Sequence, residues 1–226
     1  MTFLILFGKM TDERRDNMKQ EAAVRDLLIG NTIHLIAAGG FEKATTKEIT
    51  HVASLPGVKM NEVYIYRLFE SKQNLYETAF ITLDAELMQA CKRGVEAVGG
   101  FQADTKVRMY EFFNSAWRFV MRNEERCRCY VRYYYSTYYR GRAVENHKKN
   151  FRGVVAEFAP LFKEEADVSA IMHSVFTAFL DFAINVFNGD LEDSEINRPH
   201  IFNVLYCMMA TYFKDSVREN QNKSNA

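Results

Sequence analysis

Tyr64 and Arg67 lie three residues apart in the stretch NEVYIYRLFESKQNL (Asn61–Leu75), so they share one face of any helix that contains them. An arginine guanidinium can donate a fork of hydrogen bonds to guanine, and a tyrosine can meet a phosphate or a thymine methyl. Asn61 precedes them, Tyr66 sits at the edge of the same face, and Glu62 stands near the helix start. A carboxylate there suits the positive helix end, or accepts from cytosine N4. Lys72 adds its charge to the N-terminus of the next predicted helix, while Thr45, Thr46 and Lys47 offer a similar phosphate-binding start one helix earlier. Such backbone contacts fix register on a nucleic acid rather than sequence.

The elements that must position these groups can be read from caps and breaks. A first helix is expected from about Asp16 to Ala38, ended by Gly39-Gly40. Thr45-Thr46-Lys47-Glu48 has the T-x-x-E form of a capping box and starts a short helix through Ala53. Pro56 and Gly57 break it. Asn61 is the predicted N-cap of a third helix reaching Phe69, with Ile65 and Phe69 pointing inward and Met60 and Val63 near its start. Ser71 caps a fourth, running from Lys72 to about Arg93. Three short helices with a turn before the third form the geometry that places one helix in a major groove.

Long 3.6-residue periodicities, only three prolines and no strand alternation give an all-α fold class. Val98-Gly99-Gly100 is the clearest break, and further helices are expected near 104–122, 124–139, 142–162, 166–188 and 195–215. Residues 1–15 read as a flexible N-terminal segment. The apolar run Phe3–Phe7 is shorter than a signal-peptide core and has no basic residue before it. The span Val168–Phe187 contains His173, Asp181 and Asn185, which lipid would bury at a cost of roughly 2.5–3.5 kcal/mol for the aspartate alone. A soluble, cytoplasmic protein is expected.

The chain of 226 residues carries no net charge, so global basicity does not point to nucleic acid. Its four cysteines form neither CxxC pairs nor a disulfide framework, which reads as reduced thiols. Cys127-Arg128-Cys129 has no histidine at ligand spacing and is flanked by arginine, so no metal site is expected. The five histidines are scattered, without a nucleophile elbow, a phosphate-cradling glycine loop or HExxH. No catalytic residue, enzyme activity or cofactor is expected.

LIGNTIHLIAAGGFEKATTKEIT (Leu28–Thr50) followed by YIYRLFESKQNLYETAF (Tyr64–Phe80) resembles the tetracycline-repressor (TetR) family of transcriptional regulators. Gly40-Phe41, Thr46, Ile49, Ala53, Ile65-Tyr66, Phe69, Ser71-Lys72 and Leu75 fall at the family's spacing. The resemblance covers about the first third of the chain at motif level, and helix pattern alone thereafter. It implies a helix-turn-helix DNA-binding domain over 16–73 and a helical ligand-binding and dimerisation domain over 74–226. It further implies that Thr46, Tyr66 and Lys72 contact the DNA backbone, and that Asn61, Tyr64 and Arg67 lie toward the groove. The implied partners are double-stranded DNA with a near-palindromic operator, a small-molecule effector and a second copy of the chain. Two departures stand out: the turn after Ala53 is several residues longer than the family's, and Leu68 stands where a phosphate-contacting aromatic or histidine is common. They motivate an alternative, a protein-interaction module of the same fold that has lost DNA binding.

RCRCYVRYYYSTYYR (Arg126–Arg140) is rich in tyrosine. Tyr130, Tyr134 and Tyr138, with Phe112, Phe113, Trp117 and Phe151, are candidates to line a pocket for a hydrophobic or aromatic ligand, plain aromatic core being the alternative for each. Ile171, Val175, Phe179, Phe182 and Val186 trace an apolar surface on one long helix, and Phe202, Leu205 and Met209 on the last. Two such helices from each subunit would form a four-helix dimer interface, the alternative being the core of a monomer.

Overall fold

The computed structural model describes residues 2–97, 105–215 and 217. Among the described residues nine α-helices run in the order α1 (Thr2–Gly39), α2 (Thr46–His51), α3 (Val63–Phe69), α4 (Lys72–Ala97), α5 (Thr105–Arg122), α6 (Glu124–Tyr134), α7 (Arg142–Phe158), α8 (Val168–Asn188) and α9 (Asn197–Ala210). A 3₁₀ turn, Ala159–Leu161, follows α7. Among the described residues there is no strand; Phe162 and Phe213 pair in a lone antiparallel bridge. The all-α expectation holds.

The predicted starts and stops hold wherever a side chain satisfies the backbone locally. The Thr45 hydroxyl accepts from the Glu48 amide at 3.2 Å, starting α2. The Ser71 hydroxyl accepts from the Asn74 amide at 3.1 Å, starting α4. Gly40 and Gly189 close α1 and α8 at φ of +80° and +81°, a region that costs glycine little. Several boundaries differ from expectation: α4 runs on to Ala97 and α9 ends at Ala210. The first helix, expected from about Asp16, extends back to Thr2, with no proline to interrupt residues 2–15. The tyrosine-rich helix ends at Tyr134 rather than near 139, because Ser136 turns the chain: its hydroxyl donates to the Tyr133 carbonyl and accepts from the Tyr138 amide. The Val98–Gly100 break and the tail beyond Val217 lie outside the described residues.

One continuous core runs from Val24 and Leu28 of α1, through Ile65 and Phe69 of α3 and Phe80 of α4, to Phe202 and Phe213. Helix α4 enters both ends of it. Its Glu77, nearly buried, accepts from the Ala143 amide at 3.1 Å and pairs with Arg142 at 2.7 Å, so one carboxylate caps the first turn of α7. Helix α6 in turn lies against α1. Arg132 donates to the Ile36 carbonyl at 3.1 Å near the end of α1, and Glu125 pairs with His34.

Candidate nucleic-acid interface

The long turn before α3 has a defined conformation. Asn31, buried on α1, donates its amide to the carbonyls of Ile49 at 2.8 Å and Ala53 at 3.3 Å, tying down the end of α2. Leu55-Pro56-Gly57-Val58 then closes a β-turn, with the Val58 amide bonded to the Leu55 carbonyl at 3.1 Å. Gly57 takes φ +75° behind Pro56, the pattern of a type II turn. Leu55, Val58 and Met60 rest against the core, so the added residues are anchored by packing at both ends. Asn61 contributes differently from expectation. Glu62 occupies the cap position, and the Asn61 side chain accepts from the Val63 amide at 3.0 Å as an Asx turn.

Helix α3 buries Ile65 and Phe69, as its spacing predicts. Val63, expected near the core, is 67% exposed, and Tyr66 is 54% exposed. Tyr64 and Leu68 are half-buried and packed on the core. The Arg67 guanidinium carbon lies over the Tyr64 ring, 4.7 Å from its centroid, and the side chain is half-exposed. Lys72 sits in the first turn of α4 with its ammonium 5.6 Å from the Tyr76 ring. Lys47 and Thr45 are exposed at the start of α2. Five of the predicted contact residues thus stand exposed: Thr45, Lys47, Asn61, Tyr66 and Arg67.

Glu21 and Arg25 in this region escaped the sequence reading, and Glu62 has a partner that it did not foresee. Glu21 of α1 pairs with the Arg67 guanidinium at 3.2 Å. Glu62 accepts from the Thr46 hydroxyl, joining the first turn of α2 to the residue before α3. Arg25 donates to the Leu68 carbonyl at 2.9 Å and stacks on Phe69 at 4.5 Å, bracing the last turn of α3 against α1. The partners of these pairs are far apart in sequence, which is why no local motif announced them.

The predicted pocket residues divide between a cavity and packing elsewhere. A space of about 80 Å³ lies among α4, α5, α7, α8 and α9, almost wholly apolar in lining. Phe112, Phe113 and Phe151 line it as expected, joined by Met88, Met109, Met172 and Met209. Trp117, Tyr130, Tyr134 and Tyr138 do not line it. Trp117 is fully buried and donates its indole N–H to Asp193 at 2.9 Å. Tyr138 packs on Phe41 at 4.5 Å.

Tyr130 belongs to a buried polar cluster around Asp84, a carboxylate with no solvent exposure. The Tyr130 hydroxyl at 3.0 Å and His147 Nδ1 at 2.8 Å reach Asp84 Oδ1, while Asn150 at 2.7 Å and Asn146 at 3.4 Å reach Oδ2. Four donors satisfy the carboxylate that burial would otherwise penalise. Burial first, then the Asp84 charge, pushes the Tyr130 hydroxyl well above its ordinary range, so it stays a donor. Tyr134 stacks beside it at 6.1 Å.

Of the predicted interface residues, Phe179, Phe202, Leu205 and Met209 are buried within the chain and line the cavity, as does half-buried Val175. Ile171, Phe182 and Val186 are half-buried on α8. The exposed apolar residues of α9 are Val204 and Met208, one turn apart, with Tyr212 beyond. Helix α8 is long and apolar enough to cross a membrane, at mean hydropathy 1.6. Cys91, Cys127 and Cys129 are buried, and burial pushes each thiol up to about 12; Cys207 is exposed.

Comparison with known proteins places this architecture. No family model and no curated protein matches the sequence. Solved structures do match. A TetR family transcription regulator from Marinobacter aquaeolei VT8 is 14% identical over 87% of this chain and 97% of its own, with a TM-score of 0.66. A putative TetR family transcriptional regulator from Vibrio parahaemolyticus is 19% identical over 84% and 98%, with a TM-score of 0.64. The fatty acid degradation regulator FadR from Bacillus halodurans is 13% identical over 80% and 96%, with a TM-score of 0.60. From α1 to α9 the chain has the fold of the TetR-family transcription regulators.

Proposed function

We propose that the protein is a cytoplasmic, homodimeric, sequence-specific DNA-binding regulator, a repressor released by a small apolar ligand. The observation that carries the reading is the anchored turn: Asn31, the Leu55–Val58 turn and Arg25 fix α3 at both ends, with Arg67 and Tyr66 outward. A helix so fixed can enter a major groove as a rigid element. Thr45, Lys47 and Lys72 would meet phosphates, and Tyr64 and Arg67 the bases.

Dimerisation is assigned to α8 and α9, whose outer side carries half-buried Ile171, Phe182 and Val186 and exposed Val204 and Met208. A two-fold related pair would set two copies of α3 about 34–36 Å apart, one turn of DNA, and so select a near-palindromic site. The effector site is the methionine- and phenylalanine-lined cavity. At about 80 Å³ it falls far below the roughly 300 Å³ of a drug-sized site, so a ligand of that size enters only as side chains move. Four methionines make such movement cheap. The lack of polar lining selects an uncharged, hydrophobic ligand, and occupancy would shift α4, which both lines the cavity and leads to α3.

Selection from random or genomic DNA fragments, then footprinting, tests the function. A protected near-palindrome is expected; absence of any sequence preference by the purified dimer at moderate salt would overturn it. A second reading, a protein-interaction module of this fold, is favoured by one observation: Thr46 and Arg67 are both engaged by carboxylates. Replacing Tyr64 and Arg67 with alanine separates the two. A folded dimer whose cellular effect survives both changes supports the interaction reading.

A further inference from the structure

The cleft between α1 and α3 brings Arg14, Asn17, Gln20 and Glu21 beside Tyr64 and Arg67, the two residues assigned to the bases. Only Glu21 among these α1 residues pairs with Arg67, at 3.2 Å to Nη2, while the guanidinium carbon lies over the Tyr64 ring. Arg67 is therefore held by two contacts, one from its own helix and one from α1. Both Glu21 and Arg67 are half-exposed, so the pair adds little to stability. Its effect lies in where the guanidinium points and what it can bind.

We infer that Glu21 is a specificity-determining residue of the DNA-reading head, acting as a positioning residue through Arg67. The inference rests on the DNA-binding function proposed above. Two consequences of the geometry support it. A guanidinium pinned by Glu21 and Tyr64 is already oriented, so it gives up less side-chain freedom when it donates to a guanine edge. A carboxylate on Arg67 also opposes its capture by any passing phosphate, because that phosphate must displace Glu21 or accept the repulsion of a second anion. Glu21 thus favours the base edge over the sugar–phosphate backbone, raising the ratio of specific to non-specific binding rather than affinity itself.

The test uses the full-length protein and the DNA site selected by the wild type. Binding is measured at one salt concentration to that site, to each of its single-base variants and to random-sequence duplex, for wild type, E21A, E21Q, R67A and the double variant E21A/R67A. For E21A, about tenfold loss of discrimination is expected at one base pair per half-site, the size of one bidentate base contact. E21Q moves the same way. R67A loses discrimination at the same pair, the double variant loses no more than R67A, and affinity of E21A for random duplex rises. An E21A profile that keeps every wild-type preference while all affinities shift by one factor would reduce Glu21 to a surface counter-charge and overturn the inference alone. A wild type that selects no sequence overturns the DNA-binding function first, and the role of Glu21 with it.

Discussion

The Thr46 hydroxyl donates to the Glu62 carboxylate, so a residue assigned to the DNA backbone is bonded to an anion of its own chain. Glu62 → Gln keeps an acceptor and removes the charge. DNA affinity should rise roughly threefold at about 0.1 M salt, the gain shrinking as salt screens the removed repulsion. Fluorescence anisotropy titrations across a salt series measure this. A loss of affinity confined to sites with one particular base would instead make Glu62 a base reader.

Leu205 and Val204 are neighbours on α9 with opposite settings: Leu205 is buried against the cavity and Val204 is 51% exposed. Leu205→Ala should enlarge the cavity, cost about 2–5 kcal/mol of stability and leave the oligomeric state unchanged. Val204→Arg combined with Met208→Arg should abolish the dimer while the monomer remains folded. Sedimentation velocity and thermal melting, run on both variants, separate the two roles.

Gly94 of α4 lies where α5 comes closest: an added Cβ would meet the Glu111 carbonyl oxygen and the Ser115 Cβ, each at 2.5 Å. In an isolated helix, glycine to alanine would stabilise by about 1 kcal/mol. Here the clash with backbone outweighs that gain, and Gly94→Ala should destabilise by roughly 1–3 kcal/mol. A lowered denaturation midpoint in urea checks the sign.

The three buried thiols make stability depend on alkaline pH. Cys91, Cys127 and Cys129 are pushed from 9.0 to about 12 by burial. Well below pH 9 folded and unfolded chains both keep these protons, so the full stability is present. Above that the unfolded chain ionises first, and stability should fall as pH climbs toward 12. At pH 8 a thiol reagent should modify Cys207 alone, and all four cysteines after unfolding. Rapid reaction of more than one thiol in the native protein would contradict the burial.

The sequence spoke clearly where structure is local. Thr45 with Glu48, Ser71 with Asn74, and Gly40 each solve a helix end within a few residues, and each was readable from residue type and spacing. Glu21–Arg67 and Asp84–His147 join residues that only the packed helices bring together. The tyrosines of α6 show the limit plainly. Composition marked them as candidates to line a pocket, but packing set the Tyr130 hydroxyl on a buried carboxylate, away from the methionine-lined cavity. Phe179, Phe202, Leu205 and Met209 make the same point, since an apolar stripe reads alike whether it meets its own chain or another.

Trp117 is the sole tryptophan of the chain. Its ring packs on Phe113 at 5.6 Å and Phe179 at 5.8 Å, both walls of the cavity, and its N–H is held by Asp193. The protein therefore contains its own optical reporter. Any molecule that parts those two phenylalanines changes the surroundings of one indole, so emission colour and intensity can screen hydrophobic compounds without a label, an operator or a known target gene.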